Sequence, residues 1–269
     1  MILALPPLVA EPIFNIGSFP VTNAYINSCI AVVFFIILGL LFRNRTAAIP
    51  KGLQNFGEAA LEFMLGYVDQ VTHDRKKSLK FLPMVGALFL FILISNWMGL
   101  IPGTGSIGRW LSVHGETELV PLFRPANSDL NLTLAMAVLS VTASHFLGII
   151  AIGFFKYFNK FIKISDLWHS FKKGPSAIFV AFIEFGVGLI EVSSEVAKMV
   201  SLSLRLFGNI FAGEVLMTVL AGLIAYAVAL PFMLLELLVG FIQAVVFSML
   251  VLVYLSIATT PVHTHQEAH

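Results

Sequence analysis

Five apolar runs dominate the chain, and each is long enough to cross a lipid bilayer as a helix. They lie at 21–42, 81–102, 130–154, 177–230 and 231–258. About 20 apolar residues span the hydrocarbon core as an α-helix, which satisfies every backbone polar group internally. Only 12% of the residues are charged, against about 25% in soluble domains. We therefore expect one all-α polytopic membrane domain over 1–269.

The fourth run is too long for a single upright span. At about 1.5 Å per residue, some 50 residues cover more than twice the membrane thickness. A helix over 177–230 must tilt strongly, lie partly in the membrane plane, or break. Pro231 marks the start of the last run, so we expect 177–258 to form a long helical hairpin.

Residues 52–71 show a different pattern, typical of a helix that lies on a membrane surface. Apolar side chains recur there at spacings of three and four, as one face of an amphipathic helix requires. They are Phe56, Ala60, Phe63, Met64 and Tyr67. We expect this helix to lie on the cytoplasmic face.

Basic residues orient the chain. Segment 43–80 carries seven, segment 103–128 carries two (Arg109 and Arg124), and segment 154–175 carries five. The positive-inside rule then places the first and third segments in the cytoplasm. The N-terminus is expected outside, and a final hairpin would leave the C-terminal tail, with its histidines at 263, 265 and 269, in the cytoplasm.

Arg205 lies in the middle of the fourth apolar run. An arginine keeps its charge at any attainable pH, and placing it at the bilayer centre costs about 2.5–3.5 kcal/mol on insertion scales. Residues of this kind usually belong to ion pathways or pair with a buried opposite charge. Arg205 is therefore the first candidate functional residue.

Other charged residues share a stripe with Arg205. Glu184, Glu191, Lys198 and Arg205 are spaced seven apart, and seven residues fall about 20° short of two helical turns. Glu195 is three residues before Lys198 and can pair with it. The stripe enters after the lysine-rich third segment, so its acidic end should open toward the cytoplasm.

A second polar group is expected nearer the outside. Glu214 is nine residues past Arg205, which is half a turn out of phase and roughly 13.5 Å further along. In an antiparallel hairpin, Glu236 could reach the depth of Glu214, and Gln243 that of Arg205. Two ionisable groups separated by a permanent cation suit two aqueous half-channels that must not connect.

Simpler interpretations stand beside this one. A single glutamate can be a packing residue, and Gln243 can be a helix–helix hydrogen bond. His145 is more readily a packed polar residue than a member of a relay, and the lone Cys29 a small core residue. The formal net charge of +1 gives no sign of nucleic-acid binding, and no metal or disulfide pattern is present.

At these residues the chain resembles subunit a of the F-type ATP synthase in its bacterial form. The segment SLSLRLFGNIFAGE at 201–214 is similar to that family's signature around its essential arginine. Three further segments agree in order: SNWMGLIPG at 95–103, SDLNLT at 128–133, and QAVVFSMLVLVYL at 243–255. Residues 1–20 and 104–125 are not diagnostic.

The resemblance implies specific roles. It matches Arg205 to the essential arginine, Glu214 and Glu236 to a pair in the outer half-channel, and Gln243 to the glutamine facing the arginine. It also implies that Glu191 and Glu195 lie on the inner path, and that Asn209 and Asp129 line the outer one. Some members carry a histidine in the pair that Glu214 and Glu236 form here.

The resemblance also implies the setting. The last two helices would be strongly tilted around a ring of c subunits, with the b-subunit peripheral stalk and other ATP synthase subunits as partners, in a bacterial inner membrane. The chain would have no catalytic site or cofactor of its own. Whether the ion is H⁺ or Na⁺ depends on the ring carboxylate.

Two other classes of membrane protein compete with this interpretation. A self-contained secondary transporter would show an internal repeat, and none is evident. An intramembrane enzyme would need a Ser-His-Asp set or a cluster of metal ligands at one depth. The serines near Arg205 have no histidine in register, so the enzyme is the weakest of the three.

Overall fold

The computed structural model describes residues 7, 9–43, 52–101, 107–113, 116–162, 175–223 and 229–260. Helices account for most of them. They are α1 (Asn23–Arg43), α2 (Leu53–Thr72), α3 (Arg75–Met98), α4 (Leu130–Ile152), α5 (Phe154–Ile162), α6 (Pro175–Leu223) and α7 (Ala229–Thr259). A short 3-10 turn, Ala126–Ser128, precedes α4.

Five of the described helices are long and apolar enough to cross a membrane. Their ranges are Asn23–Arg43, Arg75–Met98, Leu130–Ile152, Phe185–Leu220 and Leu230–Thr259. The predicted all-α polytopic class with five spans is thereby confirmed. The angle of the long helices to the bilayer and the single membrane domain over 1–269 stay predictions.

Over the described residues Pro175–Leu223, the overlong apolar region forms one helix without a break. α6 contains 49 residues, so it is about 74 Å long. Within Pro175–Leu223 a break is excluded, so tilting or partial in-plane placement remains for this helix. α7 begins at Ala229, so Pro231 lies in its first turn, where a missing N–H leaves no helical hydrogen bond unmade.

Helix α2 has one face in the core and one face exposed, but its buried face is not the whole predicted apolar face, because Phe63 and Tyr67 are exposed. Met64 and Val68 are buried in the cluster formed with α3 and α7. Phe56 and Leu61 are exposed. The predicted range was 52–71 and the helix occupies Leu53–Thr72; its cytoplasmic position stays a prediction.

Two antiparallel hairpins lie outside the helices. β1 (Pro12–Ile16) pairs with β2 (Phe19–Thr22), and β3 (Gly108–Val113) pairs with β4 (Glu116–Pro121). The Arg109 Nη1 donates a hydrogen bond to the Ile13 carbonyl at 3.4 Å, which links the two hairpins. Sequence reasoning did not find them, because they fall in the two segments without a diagnostic motif.

Helix α3 packs along α7, and the bundle core lies mainly between them and α4 and α6. Its largest fully buried side chains include Ile92, Phe247, Leu252 and Leu255. At one end Asn96 Nδ2 donates to the Gly240 carbonyl at 3.1 Å. The Trp97 indole donates to the Leu237 carbonyl at 3.1 Å. The 95–103 motif therefore fixes α3 against α7.

Helix α1 is the most peripheral of the spans. It buries Asn23, Ala24, Asn27, Ser28 and Ala31 near its start, and most of its remaining length is exposed. The expectation that Cys29 is a core residue is wrong, because that side chain lies on the exposed side of α1.

Candidate functional site

Arg205 lies on the side of α6 that faces away from the bundle. Leu202, Leu206 and Ile210 recur on the buried side, with 2%, 0% and 4% of their surface exposed. Arg205 is exposed, and its guanidinium makes no hydrogen bond or ion pair with any other described residue. The periodicity of the run therefore turns a permanent cation outward, at the middle of an apolar helix.

One turn further along, Asn209 makes a contact with Gln243, the residue that the family resemblance implies faces Arg205. Its Nδ2 donates to the Gln243 Oε1 of α7 at 2.7 Å. Gln243 is only 3% exposed, and its Nε2 has no partner among the described residues. The structure thus brings Gln243 to Asn209, about one turn from Arg205 along α6.

Glu214 is held by an arginine that sequence reasoning counted only as a loop charge. The Nε of Arg124 donates to both carboxylate oxygens of Glu214, at 3.0 and 3.2 Å, and Nη2 donates to Oε2 at 3.1 Å. Their side chains are 2% and 17% exposed. A guanidinium matches a carboxylate in this forked geometry.

The rest of the Arg124 guanidinium is also satisfied. Nη1 donates to the Val9 carbonyl at 3.3 Å and Nη2 to the Pro7 carbonyl at 2.8 Å. The carbonyl of Arg124 accepts a hydrogen bond from Asn27 Nδ2 at 2.8 Å. A possible signal was available in sequence: Arg124 is one of two basic residues in a weakly charged segment, five residues before Asp129.

Glu236 lies beside the same part of α6 without sharing the Arg124 contact. A side chain on Gly213 would overlap its carboxylate, so the absence of a Cβ there makes room for Glu236. The two glutamates predicted as a pair are therefore close in depth. Glu214 is turned to Arg124, while Glu236 lies over Gly213.

On the other side of Arg205, four side chains from three helices form what we call the Glu195 cluster: Glu195, Lys198, His145 and Tyr157. Lys198 Nζ donates to Glu195 Oε1 at 2.6 Å, the local pairing that the sequence predicted. Nε2 of His145 lies 3.6 Å from Glu195 Oε2. Nδ1 of His145 lies 2.7 Å from the Tyr157 hydroxyl.

Tyr157, on α5, is buried over Gly148 of α4. Burial is the main cause that raises the pKa of Tyr157 to about 12, and the charges of Glu195 and Glu191 add to it. The phenol therefore stays neutral at physiological pH.

Glu191 is half-buried and lies near this cluster. The side chain of Glu184, the start of the predicted stripe, lies outside the described residues.

Asp129 has a clear local role. It caps α4, because its Oδ1 accepts a hydrogen bond from the Asn131 backbone N–H at 3.0 Å, a common use of aspartate at a helix start. Within the described part of the chain, no three His, Cys, Asp or Glu residues are grouped so that they could hold a metal ion.

Comparison with known proteins gives one consistent result. The family model described as "ATP synthase A chain" matches residues 25–256. ATP synthase subunit a of Campylobacter jejuni (strain RM1221) is 33% identical over 230 residues, covering 86% of this chain and 87% of the relative. That of Moorella thermoacetica is 32% identical over 244 residues, covering 91% and 94%. That of Geobacter sp. (strain M21) is 31% identical over 235 residues, covering 87% and 86%. The chain therefore belongs to the ATP synthase A chain family.

Proposed function

We propose that this chain is the proton-conducting stator subunit in the membrane sector of an ATP synthase. Two offset half-channels carry protons to and from carboxylates on a rotating ring of c subunits, and Arg205 separates them. The chain has no catalytic site of its own. It couples proton flow to ring rotation, and ATP is made elsewhere in the complex.

The observation that carries this proposal is the arrangement along α6. Arg205 is exposed and unpaired within the described part of the chain, while carboxylates lie on both sides of it. Glu195 is ten residues before it and Glu214 nine residues after it, so they are about 15 Å and 13.5 Å away along the helix axis. An arginine between two ionisable groups repels a proton that would pass directly from one to the other.

The outward face of α6 is suited to contact with a partner in the membrane plane. Val196, Val200 and Leu204 are 57%, 45% and 50% exposed on the turns before and beside Arg205. An apolar surface with one cation suits a ring whose carboxylates are neutral in lipid and charged near Arg205. The b-subunit stalk and a bacterial inner membrane belong to the same proposal.

A proton path follows from these positions. In synthesis, a proton enters from outside past Asp129, Glu214 and Glu236 and neutralises a ring carboxylate. After nearly a full turn the carboxylate reaches the other path and releases its proton toward Glu191 and Glu195. Each charge that crosses 100 mV supplies about 2.3 kcal/mol, and several are needed for each ATP.

The Asn209–Gln243 hydrogen bond fits a positioning role in this path. It ties α6 to α7 one turn from Arg205, which keeps the two helices in fixed register there.

The test is Arg205→Ala in the complex reconstituted into proteoliposomes. We expect proton-driven ATP synthesis to be lost, because the ring carboxylate has no counter-charge and the two paths are no longer separated. Arg109→Ala, which removes an exposed arginine outside the spans, is the matched control and should leave synthesis unchanged. Coupled synthesis at the wild-type rate in Arg205→Ala would overturn the proposal.

A further inference from the structure

His145 contacts side chains of both α5 and α6, and the proposed proton path does not include it. It lies on α4, with its Nδ1 against the Tyr157 hydroxyl of α5 and its Nε2 toward the Glu195 carboxylate of α6. A side chain held at both ring nitrogens has a fixed orientation. Its 27% exposure leaves the imidazole partly open to its surroundings.

We propose that His145 is a proton carrier of the inner half-channel, which takes protons from Glu195 and passes them to the cytoplasm, and that Tyr157 positions it. The inference rests on the proposed function, and it assigns a residue that neither the motifs nor the family resemblance supplied. Sequence reasoning favoured a packing role for His145, and the contacts at both ring nitrogens are what change that interpretation.

The proton transfer is balanced within the cluster. With Nδ1–H donating to the Tyr157 oxygen, Nε2 holds a lone pair and faces Glu195. A proton on Glu195 moves to Nε2, which leaves a carboxylate beside an imidazolium. The imidazolium then loses the Nε2 proton to water and returns to its first form. One proton has moved and no electrons have been exchanged.

Tyr157 cannot be the carrier itself. Its pKa is raised to about 12, chiefly by burial, so the phenol keeps its proton while imidazole titrates. Tyr157 is also fixed in place, because Gly148 beneath its ring leaves no room for movement toward α4. Its hydroxyl therefore holds the Nδ1 side of the imidazole, and Nε2 is turned toward Glu195.

The nearest charged groups to His145 lie on α6. Glu195 attracts a proton on His145, while Lys198 on the same helix offsets that attraction through its bond to Glu195 at 2.6 Å. Lys198 itself lies 5.2 Å from the centre of the Tyr254 ring of α7. Several titratable groups face the imidazole from neighbouring helices or lie next to groups that do. They are Tyr157, Glu191, Glu195, Lys198 and Tyr254.

The experiment measures ATP synthesis by the whole complex in proteoliposomes at fixed membrane potential, with the medium pH varied on the cytoplasmic side. We expect His145→Gln to lower the rate about 100-fold or more, the lower end of what a positioned proton-transfer group contributes. The ratio of variant to wild-type rate should also change between about pH 5 and 8, where imidazole titrates. A packing residue would give a ratio that does not depend on the medium pH.

Tyr157→Phe is the second variant. It keeps the ring over Gly148 and removes only the hydroxyl, so we expect a loss of about 2- to 10-fold, the range of one neutral hydrogen bond, with the wild-type pH profile retained. If the His145→Gln complex does not assemble, Tyr157→Phe is the test of the proposal. An unchanged rate of ATP synthesis in Tyr157→Phe would then overturn it.

Two controls match these changes. His73→Asn removes an imidazole at the junction of α2 and α3, where the left-handed backbone (φ 50°) accommodates asparagine. Tyr25→Phe removes an exposed phenol from α1. Both should behave as wild type. If Arg205→Ala still synthesises ATP, the proposed function is wrong. If Arg205→Ala loses synthesis but assembled His145→Gln follows wild type at every pH, only the proposed role of His145 is wrong.

Discussion

The three cations that the structure places in or beside α6 differ in how their charge is satisfied. Arg124 is fully buried, and it bonds to Glu214 and to two backbone carbonyls. Lys198 is part-buried and bonds to Glu195. Arg205 is exposed and makes no such bond within the described part of the chain. The first two are paired within this chain, whereas Arg205 has no such partner among the described residues, and the proposed ring carboxylate would supply one.

Arg124→Gln should destabilise the subunit markedly. The change leaves the Glu214 carboxylate without its counter-charge in a site where only 17% of it is exposed, and it removes the hydrogen bonds that hold residues 7 and 9. Breaking one side of a buried pair costs about 3–5 kcal/mol. The measurement is the thermal midpoint of the detergent-solubilised complex, with Arg109→Gln, whose side chain makes one 3.4 Å bond, as the control.

The double variant Arg124→Gln with Glu214→Gln separates the ion pair from the rest of the contacts. Because neither charge is then left alone, part of the lost stability should return. If Arg124→Gln melts like the Arg109→Gln control, the pair contributes little, and Arg124 does not hold Glu214 in the assembled complex.

At the scale of elements, the junction of α4, α5 and α7 depends on one glycine. A Cβ on Gly148 would lie 2.5 Å from a Tyr157 ring carbon and 2.7 Å from the Ala258 carbonyl oxygen. Real contacts do not come that close, so α5 or the end of α7 must shift. The position of Tyr157 against His145 therefore rests on close packing of backbones as much as on the hydrogen bond between them.

Gly148→Ala should loosen α5. Overpacking costs about 1–3 kcal/mol, more than the gain of up to about 1 kcal/mol from replacing glycine by alanine within a helix. We expect faster amide hydrogen exchange at 154–158, measured on the intact complex by mass spectrometry. Gly39→Ala in α1, where a Cβ meets open space, should leave exchange in α5 unchanged. Equal exchange in the two variants would show that the junction absorbs the extra methyl group.

The same elements show what a sequence can and cannot predict. Apolar length predicted the five spans, and spacing predicted the Glu195–Lys198 pair, because both depend on residues within one helix. Arg124 with Glu214, and His145 with Tyr157, are contacts between separate elements, 90 and 12 residues apart. Periodicity carries no information about which faces of two helices meet. The hairpins were missed because short strands of mixed polarity give no clear alternation.

At the scale of the whole molecule, the direction of proton flow through the two paths depends on the orientation of the bundle. The hairpins and Arg124 lie at one end, before α1 and between α3 and α4, while the junction of α2 and α3 lies at the other. Positive charge is concentrated at the second end: Arg75, Lys76, Lys77 and Lys80 lie in one turn and a half of α3. Cytoplasmic loops carry such an excess, so the Glu214 end is expected outside.

Labelling of single cysteines tests this orientation. In a Cys29→Ala background, Ile107→Cys places a thiol at a position 55% exposed beside β3, and Lys77→Cys places one in the exposed first turns of α3. A membrane-impermeant maleimide should label Ile107→Cys on intact cells and Lys77→Cys only after permeabilisation. The reverse pattern would exchange the two half-channels, so that Glu214 and Glu236 would face the cytoplasm and His145 the outside. The proposed role of Arg205 as the barrier would hold in either orientation, because its distances along the helix from Glu195 and Glu214 are set by α6 alone.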